Sequence, residues 1–395
     1  MPTTLSLGSA DTPGALARLR ALVSGQGGQA TRALDLHLAR PRYRPALTRV
    51  AALAGAVAGY ALLAHRRLRL GAATIDAGLV ERVWLQPGLP GEAREALLGD
   101  AVGALAEEGL PLALLHGAPA DEARLGFAEH RYRASVELSA DVARTPDSLR
   151  AAEIGDLDDL AALYEASYRD APLSDLRAAP DWRAWLGERR PLALEDARGR
   201  LVAYALPAEP DGAAGALTVV EAGVADAGVA RTLCEALLAR AGASGYGTLR
   251  LALSPWHPLA QAALQLGGVA RIERPPQEAA AALAGVVDLP LLLGALLPEL
   301  ERRLARSRYA GWSGGLRIEL ATERAVLALA GGHATVIDGS RPADLRLRRV
   351  ELAALAQLCL GYRAAADLRA TGGLDCDDSA LGLLDALFPA SILFG

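Results

Sequence analysis

Two Gly-containing segments have the composition of a phosphate-binding turn between a strand and a helix. In the first, Val83-Trp84-Leu85 precedes Gly88 and then Gly91-Glu92-Ala93, where a helix is predicted to begin. In the second, Val219-Val220-Glu221 precedes Gly228-Val229-Ala230. The first turn of a helix has free backbone N–H groups and the positive end of the helix dipole, and glycine lets a ligand approach closely. Each segment therefore predicts either a turn that holds a pyrophosphate or a turn that only packs.

Composition argues against several classes of partner. The net charge of −5 gives no reason to expect a nucleic acid. The longest apolar run, residues 50–64, is shorter than the ~20 residues that cross a bilayer and contains Gly55 and Gly59, so it predicts a hairpin of two strands instead. The first ten residues lack the apolar core of a signal peptide. We therefore expect a cytoplasmic protein without a membrane span.

Neither the cysteines nor an aspartate cluster predicts a metal site. The three cysteines are Cys234, Cys359 and Cys376. Because they are few and far apart, we expect small apolar core residues in a reducing compartment. Asp375, Asp377 and Asp378 partly match a calcium-binding loop, but no glutamate follows at the required spacing, so we expect a solvated loop.

A basic run, Arg66-Arg67-Leu68-Arg69, lies between predicted strands. It is either a solvated face or a site for an anionic ligand.

The predicted elements repeat once along the chain. Strands, a Gly loop, a helix over residues 92–108, a strand and a further helix come first, and the same order returns between residues 149 and 266. From about Val287 a helix over residues 289–305 precedes four short strands and two helices, without alternation. This order predicts two α/β domains, 1–142 and 143–286, and an α+β domain, 287–395.

Several segments resemble a known family. Leu114-Leu115-His116-Gly117, followed by Arg124-Leu125-Gly126-Phe127, is similar to a region of the enhanced intracellular survival family, within the GNAT superfamily of acyl-CoA-dependent N-acyltransferases. Residues 344–347, 352–363 and 384–389 resemble the final domain of that family. The resemblance covers essentially the whole chain. It implies tandem GNAT-type domains, the second degenerate, followed by a sterol-carrier-like α+β domain.

The resemblance implies an acetyl-CoA site in the first domain. In the family, a loop of the form (Arg/Gln)-x-x-Gly-x-(Gly/Ala) wraps the pyrophosphate. Gly91 and Ala93 match its fourth and sixth positions, Glu92 lies between them, and Gly88 stands at the first position, where it offers no side-chain donor. Val83, Trp84 and Leu85 would line the cofactor from the preceding strand. The second half of the chain keeps the two small residues of this loop but is not expected to bind the cofactor.

The resemblance also suggests residues for proton transfer. Glu122 stands where the family has a tyrosine general acid; it could serve only if burial raised its pKa, and is otherwise a solvated helix residue. The C-terminal carboxylate, the family's general base, belongs here to Gly395, on an apolar tail that could instead serve stability alone. Many GNAT enzymes use a strand glutamate to activate a water, a position that Glu81 and Glu221 share, unless they are rim or surface charges. His116 is a further candidate base, because its side-chain pKa lies near neutrality.

Two functions are compatible with these residues. The first is acetyl transfer from acetyl-CoA to a primary amine, polyamine- or aminoglycoside-like by the resemblance, through direct attack on the thioester. The alternative is a catalytically inactive protein of the same fold that binds acyl-CoA, an apolar ligand or a protein partner. The resemblance also implies a homo-oligomer, and we expect no metal.

Overall fold

The structure, a computed structural model, describes residues 5–117, 122–140, 148–208, 215–273 and 281–391. The strands in these ranges are Leu5–Ser9 (β1), Thr48–Leu53 (β2), Ala56–Leu70 (β3), Ala73–Leu85 (β4), Leu112–Gly117 (β5), Ala128–Glu129 (β6), Arg133–Ser139 (β7), Arg150–Ala151 (β8), Ser174–Asp175 (β9), Leu192–Glu195 (β10), Leu201–Pro207 (β11), Ala216–Val224 (β12), Thr248–Leu251 (β13), Val269–Glu273 (β14), Ala281–Val286 (β15), Gly314–Glu319 (β16), Arg324–Ala330 (β17), His333–Asp338 (β18), Leu345–Val350 (β19) and Leu374–Cys376 (β20). The α-helices are Pro13–Ser24 (α1), Gly28–Leu38 (α2), Gly91–Glu107 (α3), Leu157–Tyr168 (α4), Ala179–Glu188 (α5), Ala227–Ala243 (α6), Pro258–Gln265 (α7), Leu289–Ala305 (α8), Leu352–Cys359 (α9), Ala365–Ala370 (α10) and Asp378–Leu387 (α11).

The chain divides into two units. The first contains residues 1–130 and 276–392, and the second contains residues 131–275. No helix in the described ranges is long and apolar enough to cross a membrane.

Seven strands of the first unit form a sheet in the order β1-β2-β3-β4-β5-β15-β6. The predicted hairpin around Gly55 is confirmed: Leu53 pairs with Ala56, and Ala54 and Gly55 have positive φ angles of 49° and 84°, as a tight turn between twisted strands requires.

The two faces of this sheet carry separate cores. Alternate residues of β3 face opposite sides: Tyr60 and Leu62 pack against α1 and α2, whereas Ala61 and Leu63 pack against α3. Gly78 allows α3 to approach β4 closely, since a Cβ there would lie 2.2 Å from the Leu105 side chain. Helix α3 therefore packs closely against the sheet, and this packing positions the turn that precedes the helix.

Near each predicted domain boundary, one strand pairs with the sheet of the neighbouring predicted domain and not with the sheet of its own. We predicted residues 1–142 and 143–286 as separate domains, yet β7 pairs with β13 and β14 in the second unit, and β15 pairs with β5 in the first. The boundary assignment is wrong for these two strands, because an apolar strand pattern does not reveal which edge the strand will complete. The division into three domains otherwise stays a prediction.

The second unit repeats the layout of the first. Its sheet has the order β14-β7-β13-β12-β11-β10-β8. Helices α6 and α7 contribute to one core, and α4 and α5 contribute to another. In both units a strand, a helix and a parallel strand follow one another: β4-α3-β5 in the first and β12-α6-β13 in the second.

The C-terminal segment forms a third sheet, β18-β17-β16-β19-β20, with helices α8 to α11, and lies within the first unit. Glu299 of α8 joins it to the first sheet. Its carboxylate is 1% exposed and accepts hydrogen bonds from the Ala72 N–H at 2.9 Å and from Arg302 and Arg303 at 2.6–2.7 Å. Burial alone would raise the pKa of Glu299, but these three donors lower it to about 2.

The cysteines and the aspartate cluster have structural roles. All three cysteines are free and buried, as predicted. The expected loop of aspartates is instead a short strand and a helix start: Asp375 lies on β20, Asp377 pairs with Arg348 and Asp378 pairs with Arg369.

Candidate active site

Strands β4 and β5 pair over only part of their length. The parallel register runs from Ala77 opposite Leu112 to Val80 opposite Leu115. Strand β4 continues to Leu85, and β5 continues to Gly117, without further pairing between them in the described ranges. The strands therefore diverge, and residues 81–85 present a backbone edge that β5 does not cover. An extended, amide-containing ligand could pair with such an edge.

Glu81 is the first residue of β4 beyond this pairing, and it lies in a β-bulge. Leu62 is opposite Arg82 and Leu63 is opposite Val80, so Glu81 is the extra residue. A bulge redirects side chains. The Glu81 carboxylate lies 2.6 Å from Arg40 and 3.7 Å from Arg66, and its side chain is 17% exposed.

A buried histidine supports Glu81. His37 of α2 is 2% exposed, with Nδ1 3.4 Å from the Glu81 carboxylate and Nε2 3.1 Å from the Thr48 hydroxyl. Burial by itself would raise the pKa of Glu81, but the His37 hydrogen bond and the charges of Arg40 and Arg66 outweigh it and lower the pKa. Glu81 is therefore a carboxylate at neutral pH and suits binding a cation or a water better than strong base catalysis.

Next to the gap, the N-terminus of α3 is open. Pro90 precedes it and provides no side-chain cap. The Ala93 N–H donates to the Pro90 carbonyl at 2.9 Å, so the N–H groups of Gly91 and Glu92 are the ones that an anion could use. Gly88 is exposed with φ of +91°, and Gly91 is exposed with nothing within 4 Å of a would-be Cβ. Glu92 is also exposed, whereas Ala93 is buried and anchors the turn.

The side chains of the residues predicted to line the cofactor on β4 do not face the gap. Trp84 stacks on Tyr60, with ring centroids 5.8 Å apart, in the α1–α2 core, and Val83 and Leu85 pack in the α3 core. Any contact that these residues make in the gap is thus through their backbone.

Glu122 differs from the expectation of a solvated residue. It is 1% exposed, pairs with Arg94 in the first turn of α3, and its carboxylate lies 3.3 Å from a would-be Cβ on Gly117. The ion pair explains the burial, because a charged group loses less on leaving water when an opposite charge meets it. Glu122 and Arg94 therefore lie beside the end of β5 and the start of α3.

Of the other two predicted catalytic residues, the structure describes His116 but not Gly395. His116 is exposed at the end of β5, opposite Ala282 of β15. Gly395 lies outside the described residues. The tail is anchored as far as Ser391, whose N–H donates to the Gly361 carbonyl at 2.7 Å, and Phe388 is fully buried.

In the second unit the equivalent edge is occupied by side chains of the same unit. Strands β12 and β13 pair only as far as Val219 and Leu251, and β12 continues to Val224. The Ala222 N–H donates to the Tyr168 hydroxyl at 3.3 Å, and the Ala222 carbonyl lies 3.0 Å from His257 Nε2. Burial lowers the pKa of His257 to about 4, although the Ala222 carbonyl opposes this, so His257 is neutral.

Two further contacts close this second site. The Asp226 carboxylate accepts from the Val229 N–H at 2.9 Å and so occupies the helix end where a phosphate would bind. Glu221 is held by Arg177 at 2.5–2.8 Å and by the Tyr204 hydroxyl at 2.9 Å. Arg177 lies over the rings of Tyr164, Trp182 and Trp185, with centroids at 4.5, 4.8 and 5.2 Å. Glu221 is thus a half-buried ion-pair partner rather than an available base.

The sequence predicts a role for Glu81 but not for the residues around it. Gly27 and Gly28 give no capping signal, so no helix is predicted over 28–38, and His37 and Arg40 are not among the predicted site residues. The one available signal was the spacing of Leu34, His37 and Leu38 on one helical face. Arg94 was missed because an arginine in a first helical turn has no distinctive pattern.

Known structures share the fold of this chain. The family model of the sterol carrier protein domain matches residues 317–392. Among crystal structures, GCN5-related N-acetyltransferases from Kribbella flavida and Anabaena variabilis superpose with TM-scores of 0.70 each, at 18% and 15% identity. The alignments cover 98% of this chain in both cases, and 97% and 98% of the other chains. Eis1 from Mycobacterium abscessus superposes at 0.60, with 16% identity and 99% of both chains covered. No curated protein sequence matches the chain. As predicted, the chain therefore has the tandem fold of the GCN5-related N-acetyltransferases that Eis1 shares, and ends in a sterol-carrier-like domain.

Proposed function

We propose that the chain is an acetyl-CoA-dependent N-acetyltransferase acting on a primary amine at the gap between β4 and β5. The divergence of these strands beyond Val80 and Leu115, next to the open N-terminus of α3, is the observation that carries this proposal. The fold of the N-acetyltransferases supports it. Binding is assigned to the first unit alone, since His257 and Asp226 occupy the equivalent positions of the second.

The residues of the gap fit the cofactor. The N–H groups at Gly91 and Glu92 would bind the pyrophosphate, and Arg94 supplies a positive charge that Gly88 lacks. The uncovered edge of residues 81–85 can hydrogen-bond the amides of the pantetheine chain and hold an oxyanion. When bound, acetyl-CoA supplies an activated acyl thioester.

Glu81 lies where the incoming amine would be held. Its carboxylate can bind an ammonium group and a water molecule, and the water can carry the released proton to solvent. The lowered pKa of Glu81 makes it a positioning acceptor rather than the final base. Proton transfer by His116, Glu122 or the Gly395 carboxylate stays a prediction, as do polyamine- or aminoglycoside-like substrates, the homo-oligomer and the cytoplasmic location.

A second function is favoured by one observation. Glu122 stands where the resemblance places a tyrosine general acid, and its carboxylate is engaged with Arg94. If no other group protonated the departing thiolate, the chain would bind acyl-CoA without turnover.

Calorimetric titration of acetyl-CoA and of free CoA into the full chain separates these functions. We expect one site per chain with micromolar affinity, followed by thiol release when a primary amine is added. Binding without thiol release for any amine would favour the second function. No binding at ~1 mM, about −4 kcal/mol, would overturn the proposal.

A further inference from the structure

We infer that the amine acceptor of this site carries an anionic group, a carboxylate or a phosphate, which Arg82 binds together with Arg40 and Gln26 on the α1–α2 side of the first sheet. The inference rests on the proposed function and narrows its acceptor class. It departs from the cationic acceptors that the resemblance implies.

Strand register places Arg82 beside Glu81 on this side. Arg82 lies opposite Leu62, and Trp84 lies opposite Tyr60, so these side chains share the face that packs on α1 and α2. Arg82 is close enough to the Tyr60 hydroxyl to oppose the rise in pKa that burial gives this tyrosine. The bulge at Glu81 brings a carboxylate and a guanidinium from successive residues to the same region.

Three buried N–H donors in this region have no acceptor within the part of the chain that the structure describes. They belong to Gln26 Nε2, Arg40 Nε and Arg82 Nη1. The Tyr60 hydroxyl, which Arg82 influences, lies 3.1 Å from Gln26 Oε1, so the Gln26 and Arg82 donors lie near one hydroxyl. Buried donors are nearly always satisfied in proteins, so a group of unsatisfied ones calls for a ligand rich in acceptors.

The charges around Glu81 also favour an acceptor with an anionic group. The Glu81 carboxylate pairs with Arg40 and Arg66, and the guanidinium of the next residue, Arg82, lies on the same side of the sheet. Arg82 has no carboxylate partner among the described residues. A polycation would place a second positive charge near the Arg82 guanidinium, whereas an acceptor with an amine at Glu81 and an anion at Arg82 would complement both groups.

Matched acceptors test this inference. Thiol release from acetyl-CoA is compared for 4-aminobutyrate, n-butylamine and 1,4-diaminobutane, and for phosphoethanolamine and ethanolamine. We expect the acids to have the higher kcat/KM, by roughly 10-fold or more. The two series distinguish a carboxylate from a phosphate. Equal or better turnover of the neutral and cationic amines would overturn the inference while leaving the proposed function intact.

Arg82→Gln provides the second measurement, with Arg67→Gln as its control. Arg67 lies on the neighbouring strand and pairs with Asp76 instead. Arg82→Gln should raise KM for the acid roughly 10- to 100-fold and remove most of the preference for the acid over the neutral amine, whereas Arg67→Gln should leave both within about twofold. An equal loss for all amines would mean that Arg82 has only a structural role.

Binding without the cofactor separates the two proposals. Thermal stabilisation of the chain by 4-aminobutyrate or phosphoethanolamine, absent with butylamine and ethanolamine and lost in Arg82→Gln, would support the anion site even if acetyl-CoA fails to bind. Absence of both this stabilisation and any preference for acids in turnover would overturn it.

Discussion

A single carboxylate introduced at the start of α3 should prevent acetyl-CoA binding without harming the fold. Gly91 is the first residue of the helix, is exposed, and has nothing within 4 Å of a would-be Cβ. Gly91→Glu therefore meets no steric obstacle. A negative charge near a helix N-terminus stabilises the helix by roughly 0.3–1 kcal/mol, so the melting temperature should stay the same or rise.

The expected loss of affinity follows from Coulomb's law. At an effective dielectric constant of ~20, two like charges about 5 Å apart repel by roughly 3 kcal/mol. Salt and exposure reduce this, so we expect Kd for acetyl-CoA to rise about 10-fold at physiological salt and up to about 100-fold at low salt.

Two controls make this titration specific. Gly99→Glu adds the same charge about two turns further along the exposed side of α3, where a Cβ again meets nothing within 4 Å. Gly228→Glu adds it to α6, where Asp226 already caps the helix. Both should bind acetyl-CoA like the parent chain. If Gly91→Glu binds as well as Gly99→Glu at low salt, the pyrophosphate does not lie on α3 and our reasoning fails.

Two stability predictions and one reactivity prediction concern residues away from the gap. Glu299 keeps its charge in the folded chain down to a pKa of about 2, against ~4.5 when unfolded, so it contributes about 3 kcal/mol above pH 5 that is lost as the pH falls towards 2. Urea unfolding of Glu299→Gln should show this deficit at pH 7 and not at pH 2; a deficit independent of pH would contradict the assignment. Arg177→Met should cost about 3–5 kcal/mol, because Glu221 would be left half-buried without a counter-charge, and adding Glu221→Gln should recover part of it in the same assay. Burial raises the thiol pKa of Cys234 and of Cys359 to about 12, so a thiol reagent should label these cysteines only after unfolding, and rapid labelling of the native chain would refute this.

Local patterns predicted the elements of the site better than its contacts. The tight turn at Gly55 and the helix after Gly91 follow from residue types that favour one backbone conformation, and both are present. Glu81 could be placed on a strand, but its bulge depends on the register between β3 and β4, which no local pattern records. Its partners His37 and Arg40 come from a helix without a capping signal.

Non-local pairing also explains the wrong expectations. Glu122 has the polarity of a surface residue, and only the approach of Arg94 from another element makes its burial acceptable. Similarly, the predicted boundaries placed β7 and β15 with the wrong sheets, because hydrogen bonding to a sheet edge depends on partners far away in the sequence.

The two units show how one fold can hold an open site and a closed one. Both have a parallel strand pair that diverges after four paired residues. In the second unit, the N–H and the carbonyl of Ala222, which β13 does not pair, form hydrogen bonds with Tyr168 and His257. The strand glutamate, Glu221, forms an ion pair with Arg177. Unsatisfied buried groups are costly, so a unit without a ligand is stable only when its own side chains supply these contacts. In the first unit, by contrast, buried donors of Gln26 and Arg82 have no partner among the described residues. Because this difference lies in side chains rather than in topology, the contacts around each diverging strand, and not the shared fold, are the reason to place the proposed site in the first unit.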